Sequence, residues 1–324
     1  MNSLKWFSGS AVLALFFAIA FVQCTPDAQD DDVQTSGKLN LEITDAPVDD
    51  PAVKGAFVTI AEVKVDGQSL EGFEGKQTID LMAYQNGAVK GLGLADLEAG
   101  SYSNITLVLD YDSDANGNAP GCYILDDSGQ KRDLRASSSS SNEITIDTAP
   151  FDVQTNQQTN VVIDFDLRKT IAYDEDAAET DYKFATNAEM RAGIRSVDKK
   201  KAGRAQGNCS TPFLFSDQVI VYAYKKGTFN RAQETSVQGT SKIRFKNAVT
   251  SAKVKADGSF DMSYMEEGEY ELYFFGYSDI DSNGTLDLLG SLSLDLLGTI
   301  DFQAININAA ATTNLNISIT GLLP

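Results

Sequence analysis

Acidic side chains at loop spacing are the first residues in this chain that could do chemistry. In Asp279-Ile280-Asp281-Ser282-Asn283-Gly284-Thr285-Leu286-Asp287, oxygen donors stand at positions 1, 3 and 5, with a Gly at 6 and an acid at 9. Thr285 offers its main-chain carbonyl between them. Such spacing wraps a hard cation in oxygen ligands, as twelve-residue calcium loops do. Gly290 stands where the closing bidentate Glu would be, so an ion here would take that ligand from elsewhere or from water. Asp112, Asp114, Asn116 and Asn118 repeat the opening of the pattern less completely, because Pro120 occupies the ninth position. The same residue types also build Asx turns that hold no ion. Calcium, if bound, would be structural, and no cofactor is otherwise required.

The second chemical group is the thiol. Lys5 precedes an apolar run from Ala11 to Val22, and Cys24 follows at once. A short positive start and an apolar run too short to span a bilayer form a secretory signal peptide. Residues 1–23 are therefore expected to be the signal. Cys24 resembles the lipobox cysteine of bacterial lipoproteins, which is acylated with palmitate-type chains and becomes the new N-terminus. Phe21-Val22-Gln23 stands where a Leu-small-small triplet is usual. The polar stretch Thr25 to Ser36 has no apolar period and reads, with Cys24, as a flexible acidic tether over 24–36. Its Asp-rich opening resembles the signal that sends some Gram-negative lipoproteins to the outer face of the outer membrane. The expected location is the cell envelope, lipid-anchored and surface-exposed. Cys122 and Cys209 are left in an oxidising compartment. A disulfide between them is allowed, and so are two unpaired thiols.

Composition closes several routes. The chain of 324 residues has no His, which removes a Ser-His-Asp triad, a Cys-His pair and any His-ligated metal. Its formal net charge of −20 repels nucleic acid and anionic headgroups. The single Trp is Trp6, inside the signal. Gly91-Leu92-Gly93-Leu94-Ala95-Asp96 opens like a dinucleotide loop but lacks the third Gly and a following helix. Nothing marks one carboxylate pair over another as a catalytic couple.

The elements that must position these groups read as strands. Leu39, Leu41 and Ile43 alternate with polar residues, and further short apolar runs follow at Phe57–Val65, Ile79–Leu81, Tyr102–Leu109, Tyr123–Leu125, Ile144–Ile146 and Val161–Leu167. Residues 173–182 read as a loop or short helix. A second block holds Val219–Tyr222, Ile243–Phe245, Ser259–Met262, Tyr270–Phe275, Phe302–Ile307 and Leu315–Ile319. Between the blocks Lys199-Lys200-Lys201-Ala202-Gly203-Arg204 reads as a solvated basic linker. The expected fold is all-β: two antiparallel β-sandwich domains in tandem, 37–200 and 203–324. The blocks echo one another. Each has a Glu-x-Gly-x-Tyr strand (Gly100, Tyr102; Gly268, Tyr270), then an acidic loop, then a Thr-Asn strand (Thr159-Asn160; Thr313-Asn314).

The first block holds, in order, Gly37 through Thr44-Asp45-Ala46-Pro47, Ile79-Asp80-Leu81, Leu97 through Gly100-Ser101-Tyr102, and Val162-Ile163-Asp164-Phe165-Asp166-Leu167. Through these motifs it resembles the bacterial lipoprotein family called domain of unknown function 4382. The likeness implies a sandwich-like envelope module with no assigned activity and no functional residue to transfer. The second block resembles transthyretin-like or carboxypeptidase-regulatory sandwiches, through Asp257-Gly258-Ser259-Phe260 and Glu267 to Leu272.

The function expected is therefore non-catalytic: a ligand-binding or adhesion module on a tether, meeting a glycan or protein ligand. One alternative is a subunit of a pilin-like surface fibre. Such lipoproteins are commonly cleaved at an Arg before the first core strand, and the first Arg here is Arg132, inside the first block. A secreted carboxylate hydrolase is the third reading.

Overall fold

The computed structural model describes residues 35–46, 53–136, 141–174, 181–281, 286–296 and 302–323. The signal, Cys24 and most of the tether lie outside these residues, as do Asn283 and Thr285 of the second acidic loop. Gln34–Pro324 forms one compact unit. Its described residues are mostly in strands with a few short helices, and no described helix is long and apolar enough to cross a membrane.

The alternation at the start does what it should. In the strand Ser36–Thr44, Leu39, Leu41 and Ile43 are fully buried, while Lys38 is exposed. This strand sits inside a four-stranded sheet, between Gln158–Phe165 and Lys90–Glu98, with Ile194–Asp198 at the far edge. A larger sheet centred on Val53–Val65 and Gly100–Leu109 covers it. Val58, Ile60, Ile105, Leu107 and Ile144 from that sheet share one core with Leu41, Val161 and Ile163. In the second half, one sheet of eight strands curls until its edge strands, Thr250–Lys253 and Ser259–Glu266, come into contact. Val221, Phe260, Phe274 and Ile317 fill its inside. Tyr222, Tyr224, Phe245 and Phe275 pack outside it.

The echo between the halves is structural. The Tyr102 hydroxyl donates to Glu98 O at 2.8 Å, and the Tyr270 hydroxyl to Glu266 O at 2.8 Å, pinning the same corner twice. Each opening strand pairs in parallel with the closing Thr-Asn strand, placing Asn40 beside Asn160 and Gln206 beside Asn314. Thr159 Oγ1 donates to Asp152 O at 2.8 Å, and Thr313 Oγ1 to Asn306 O at 3.0 Å. Any Cβ on Gly37 would collide with Gln154 O, and any on Gly203 with Asn308 O.

Three sequence expectations need correction. Ile243–Phe245 is no strand: Ile243 makes a lone bridge to Gln238, and Phe245 turns at φ 51°. Tertiary packing overrides local propensity there, because Ile243 belongs to the first half's core and Phe245 stacks on Tyr222 at 4.0 Å. Tyr173 and Tyr182 pair across antiparallel strands, Ile171–Asp174 with Asp181–Phe184. The strand reaching towards Leu167 stops at Phe165 and yields to a helical turn, Leu167–Thr170.

Candidate functional site: the seam between the halves

Charged residues are rarely buried unless paired. Here Asp45, Asp164, Asp166, Arg168 and Lys169 are all less than a tenth exposed, and they gather where the halves meet. The Asp164-Phe165-Asp166 triplet ends the strand Gln158–Phe165. Phe165 points into the core, and the two carboxylates each orient an arginine. Asp164 Oδ2 accepts from Arg195 at 2.6 Å, and Asp166 Oδ2 from Arg168 at 2.6 Å.

Each arginine then reaches into the second half and takes a main-chain carbonyl. Arg195 donates to Tyr264 O at 2.8 Å, and Arg168 to Phe245 O at 2.6 Å. Both acceptors are aromatic residues in the left-handed backbone region, Tyr264 at φ 55° and Phe245 at φ 51°. That conformation is strained for any bulky side chain. Tyr264 lies in a β-bulge, where the strand Ser259–Glu266 slips against Ala202–Ser210. The bulge lets Tyr264 grip the first half at both ends, since its hydroxyl donates to Gly87 O at 2.8 Å. Lys169 completes the joint by donating to Ala248 O. Glu189 accepts from Ser241 N and Oγ across the same seam.

Burial sets the titration of these groups. It pushes the Asp45 carboxyl well above the carboxylate range, against hydrogen bonds from Gln85 and the Leu167 amide. Burial also raises Asp164, with Arg195 opposing. The Lys169 amine is brought down to about 8 by burial, with Asp166 opposing. Burial would raise Glu189, but hydrogen bonds from Ser241 and Thr186 outweigh it and hold the acid at about 2.

Beside the clamp lies a cleft of about 410 Å³. Asn86 and Gly87 line it from the first half, Ser263 and Tyr264 from the bulge, and Lys199 and Arg204 from the connecting segment. The basic stretch that reads as a linker is thus a wall. Lys199 pairs with Glu42 and lies 5.5 Å from the Tyr264 ring centre, and Arg204 pairs with Asp261. Asn86, Gly87, Tyr264 and Ala310, all at positive φ, surround this one cleft. A second cavity of about 20 Å³ shares Asn86, Gly87, Ser263 and Tyr264 with the cleft lining. Asp45, Asp164 and Ser251 also line it.

The described residues of the two acidic loops, and Cys122 and Cys209, fall elsewhere. Asp114 Oδ1 accepts from the amides of Asn116 and Asn118, both at 2.9 Å, so the first acidic loop closes on itself as an Asx turn. Those amide bonds, led by Asn118, lower the Asp114 pKa. Asp112 is exposed, and Lys76 supplies the loop's cation by binding Asp110 at 2.9 Å. In the second loop Asp281 and Asp287 are exposed, and Asp287 opens the strand Asp287–Leu296. Among the described residues no group of three or more His, Cys, Asp or Glu is placed to hold a metal. Cys122 and Cys209 are free thiols in separate cores, in place of the disulfide that the compartment would allow. Burial pushes each thiol up to about 12.

One family model covers the aspartates of this clamp. Residues 36–185 match the family described as Domain of unknown function (DUF4382). The DUF4382 match therefore takes in Asp45, Asp164, Asp166, Arg168 and Lys169, and ends before Arg195 and the whole second half. No curated protein matches the chain. A leucine-rich repeat protein from Bacteroides thetaiotaomicron is similar at 13% identity over 88% of this chain and 26% of that one, with a TM-score of 0.20. The TIE protein of Bacillus anthracis is similar at 11% over 88% and 34%, TM-score 0.19. The minor pilin GBS52 of Streptococcus agalactiae is similar at 12% over 88% and 98%, TM-score 0.19. The chain spans about a quarter of the first of these and a third of the second. At such scores the likeness carries no argument about role.

Proposed function

We propose that this chain is a non-catalytic lipoprotein of the cell envelope, anchored through acylated Cys24, whose seam cleft binds a ligand at the surface. The cleft carries the reading. Its volume of about 410 Å³ lies in the range of small-molecule sites, and it sits where two packed halves meet. Three non-glycine positions at positive φ, Asn86, Tyr264 and Ala310, converge on it, as strained backbone tends to do at working sites. The tether over 24–36 would hold that cleft away from the bilayer.

Two measurements test the proposal. Cys24→Ala should remove lipid mass from the N-terminal peptide and move the protein out of the detergent phase. The chain purified from membranes, displayed against glycan arrays and outer-membrane fragments, should be retained by a ligand. Ala311 is an exposed residue of the cleft lining, and Ala311→Trp, which adds bulk there, should abolish that retention. Retention that ignores this substitution would place the site elsewhere.

A further inference from the structure

We infer that the seam cleft takes a neutral, hydroxyl-rich ligand of about monosaccharide size, with one hydroxyl seated in the small cavity against Asp164 and Ser251. The inference rests on the cleft being the ligand site and names what it would hold.

Charge balance argues for a neutral ligand. Lys199 and Arg204 are the cations of the cleft lining, and each is already paired, with Glu42 and Asp261. Deeper in, Asp164 is paired with Arg195. A carboxylate or ammonium entering here would have to break such a pair and leave its partner uncompensated, which is costly in a partly buried site. A hydroxyl can accept from a cation and donate to a carboxylate without separating them. The walls alternate accordingly: Lys199 and Arg204 donate, and Asn86, Ser263 and Thr312 can do both.

The small cavity supplies the second observation. Asp164 is 4% exposed and Ser251 is 3% exposed, yet Asp164 Oδ1 and Ser251 Oγ are buried without a hydrogen-bond partner among the described residues. Buried polar atoms are almost always satisfied, so two orphans lining one space mark a place for a bonding group. The space measures about 20 Å³, enough for a single water-sized group. A hydroxyl donating to Asp164 Oδ1 and accepting from Ser251 Oγ satisfies both atoms. The small cavity and the cleft share Asn86, Gly87, Ser263 and Tyr264 in their linings, so the ring that bears this hydroxyl would lie in the larger space beside it.

Calorimetric titration of the detergent-purified chain tests this, with methyl glucoside, methyl galactoside and methyl mannoside as neutral probes, and glucuronate and putrescine as charged ones. At least one neutral glycoside should bind, and Ala311→Trp should abolish the binding. Ser251→Ala should weaken it by about five- to tenfold, the loss of one hydrogen bond, without lowering the melting temperature. A merely structural serine would show the reverse. Binding of glucuronate or putrescine alone, blocked by Ala311→Trp, would overturn the ligand class and leave the cleft as the ligand site. No binding of any probe, or glycoside binding that survives Ala311→Trp, would overturn both.

Discussion

Arg195 of the first half donates to the main-chain carbonyl of Tyr264 in the second at 2.8 Å, and Asp164 holds the other side of the same guanidinium. Removing the arginine would strand a buried carboxylate. Arg195→Met is therefore expected to cost about 2–4 kcal/mol, somewhat under the roughly 3–5 kcal/mol of a fully buried broken pair, because Arg195 retains some exposure. Urea denaturation reads the loss. The double variant with Asp164→Asn should recover part of it, since the orphaned charge is gone. Additive losses would show that the two side chains do not act as a pair.

Asp45 gives a pH dependence. Its folded pKa is raised well above 3.8 by burial, so between the unfolded and folded values the native state binds more protons than the unfolded chain. Its contribution to stability is full below about pH 4 and is lost as pH rises through the folded value. Asp45→Asn imitates the protonated acid and keeps an acceptor for the Leu167 amide, 3.1 Å away in the native chain. The variant's advantage should grow as pH rises above about 4, the unfolded value. Urea midpoints that run parallel from about pH 4 upward would reject the assignment.

Part of this architecture is legible in the sequence and part is not. Leu39, Leu41 and Ile43 announce their strand because the side-chain period of two is a local signal. Gly100-Ser101-Tyr102 and Gly268-Glu269-Tyr270 announce the repeated corner for the same reason. Asp45, Asp164 and Asp166 are visible as motif residues, but their role is hidden. The groups their arginines reach, Tyr264 O and Phe245 O, are backbone carbonyls that leave no side-chain signature. The left-handed turns at those residues run against local propensity and depend on tertiary contacts: a strand slip at Tyr264 and a stack on Tyr222 at Phe245. Lys199 and Arg204 read as solvent-facing because Glu42 and Asp261 are far away in sequence. The acidic loops drew the eye instead, since Asp, Asn and Gly serve turns and ions alike.

The thiols offer a direct check. Cys122 accepts from the Thr59 amide at 3.3 Å inside one core, and Cys209 is buried in the other. Both are pushed up to about 12, so neither should react with Ellman's reagent at pH 8 in the folded chain. In the Cys24→Ala background, two equivalents should react on unfolding in guanidinium without reductant. No reactive thiol under those conditions would mean that they are bonded.

The repeated construction predicts matched lesions. Gly37 and Gly203 face Gln154 O and Asn308 O so closely that neither site can admit a Cβ without backbone movement. Gly37→Ala and Gly203→Ala should each destabilise by about 1–3 kcal/mol, the range for overpacking. Gly67, at φ 80° with nothing near its Cβ position, serves as the control for conformational strain alone. A harmless Gly203→Ala beside a damaging Gly37→Ala would break the correspondence between the halves.

Tyr264 allows the strain itself to be weighed. Tyr264→Phe keeps the ring and loses the hydroxyl bond to Gly87 O, an expected cost of about 1 kcal/mol. Truncation to Ala or Gly loses the ring as well. In an ordinary strand Gly is worse than Ala by about 0.5–1 kcal/mol, through the greater freedom of the unfolded chain. At φ 55° the order should reverse, because a left-handed conformation costs an L-residue about 1–2 kcal/mol and costs Gly nothing. Tyr264→Gly is therefore expected to be more stable than Tyr264→Ala by roughly 0.5–1 kcal/mol, the difference between those two terms. Equilibrium urea melts of the two variants decide it. Ala equal to or better than Gly would show that the bulge relaxes once the ring is gone. The left-handed turn would then be imposed by the Tyr264 side chain and its bond to Gly87 O, and not by the slip between the two strands.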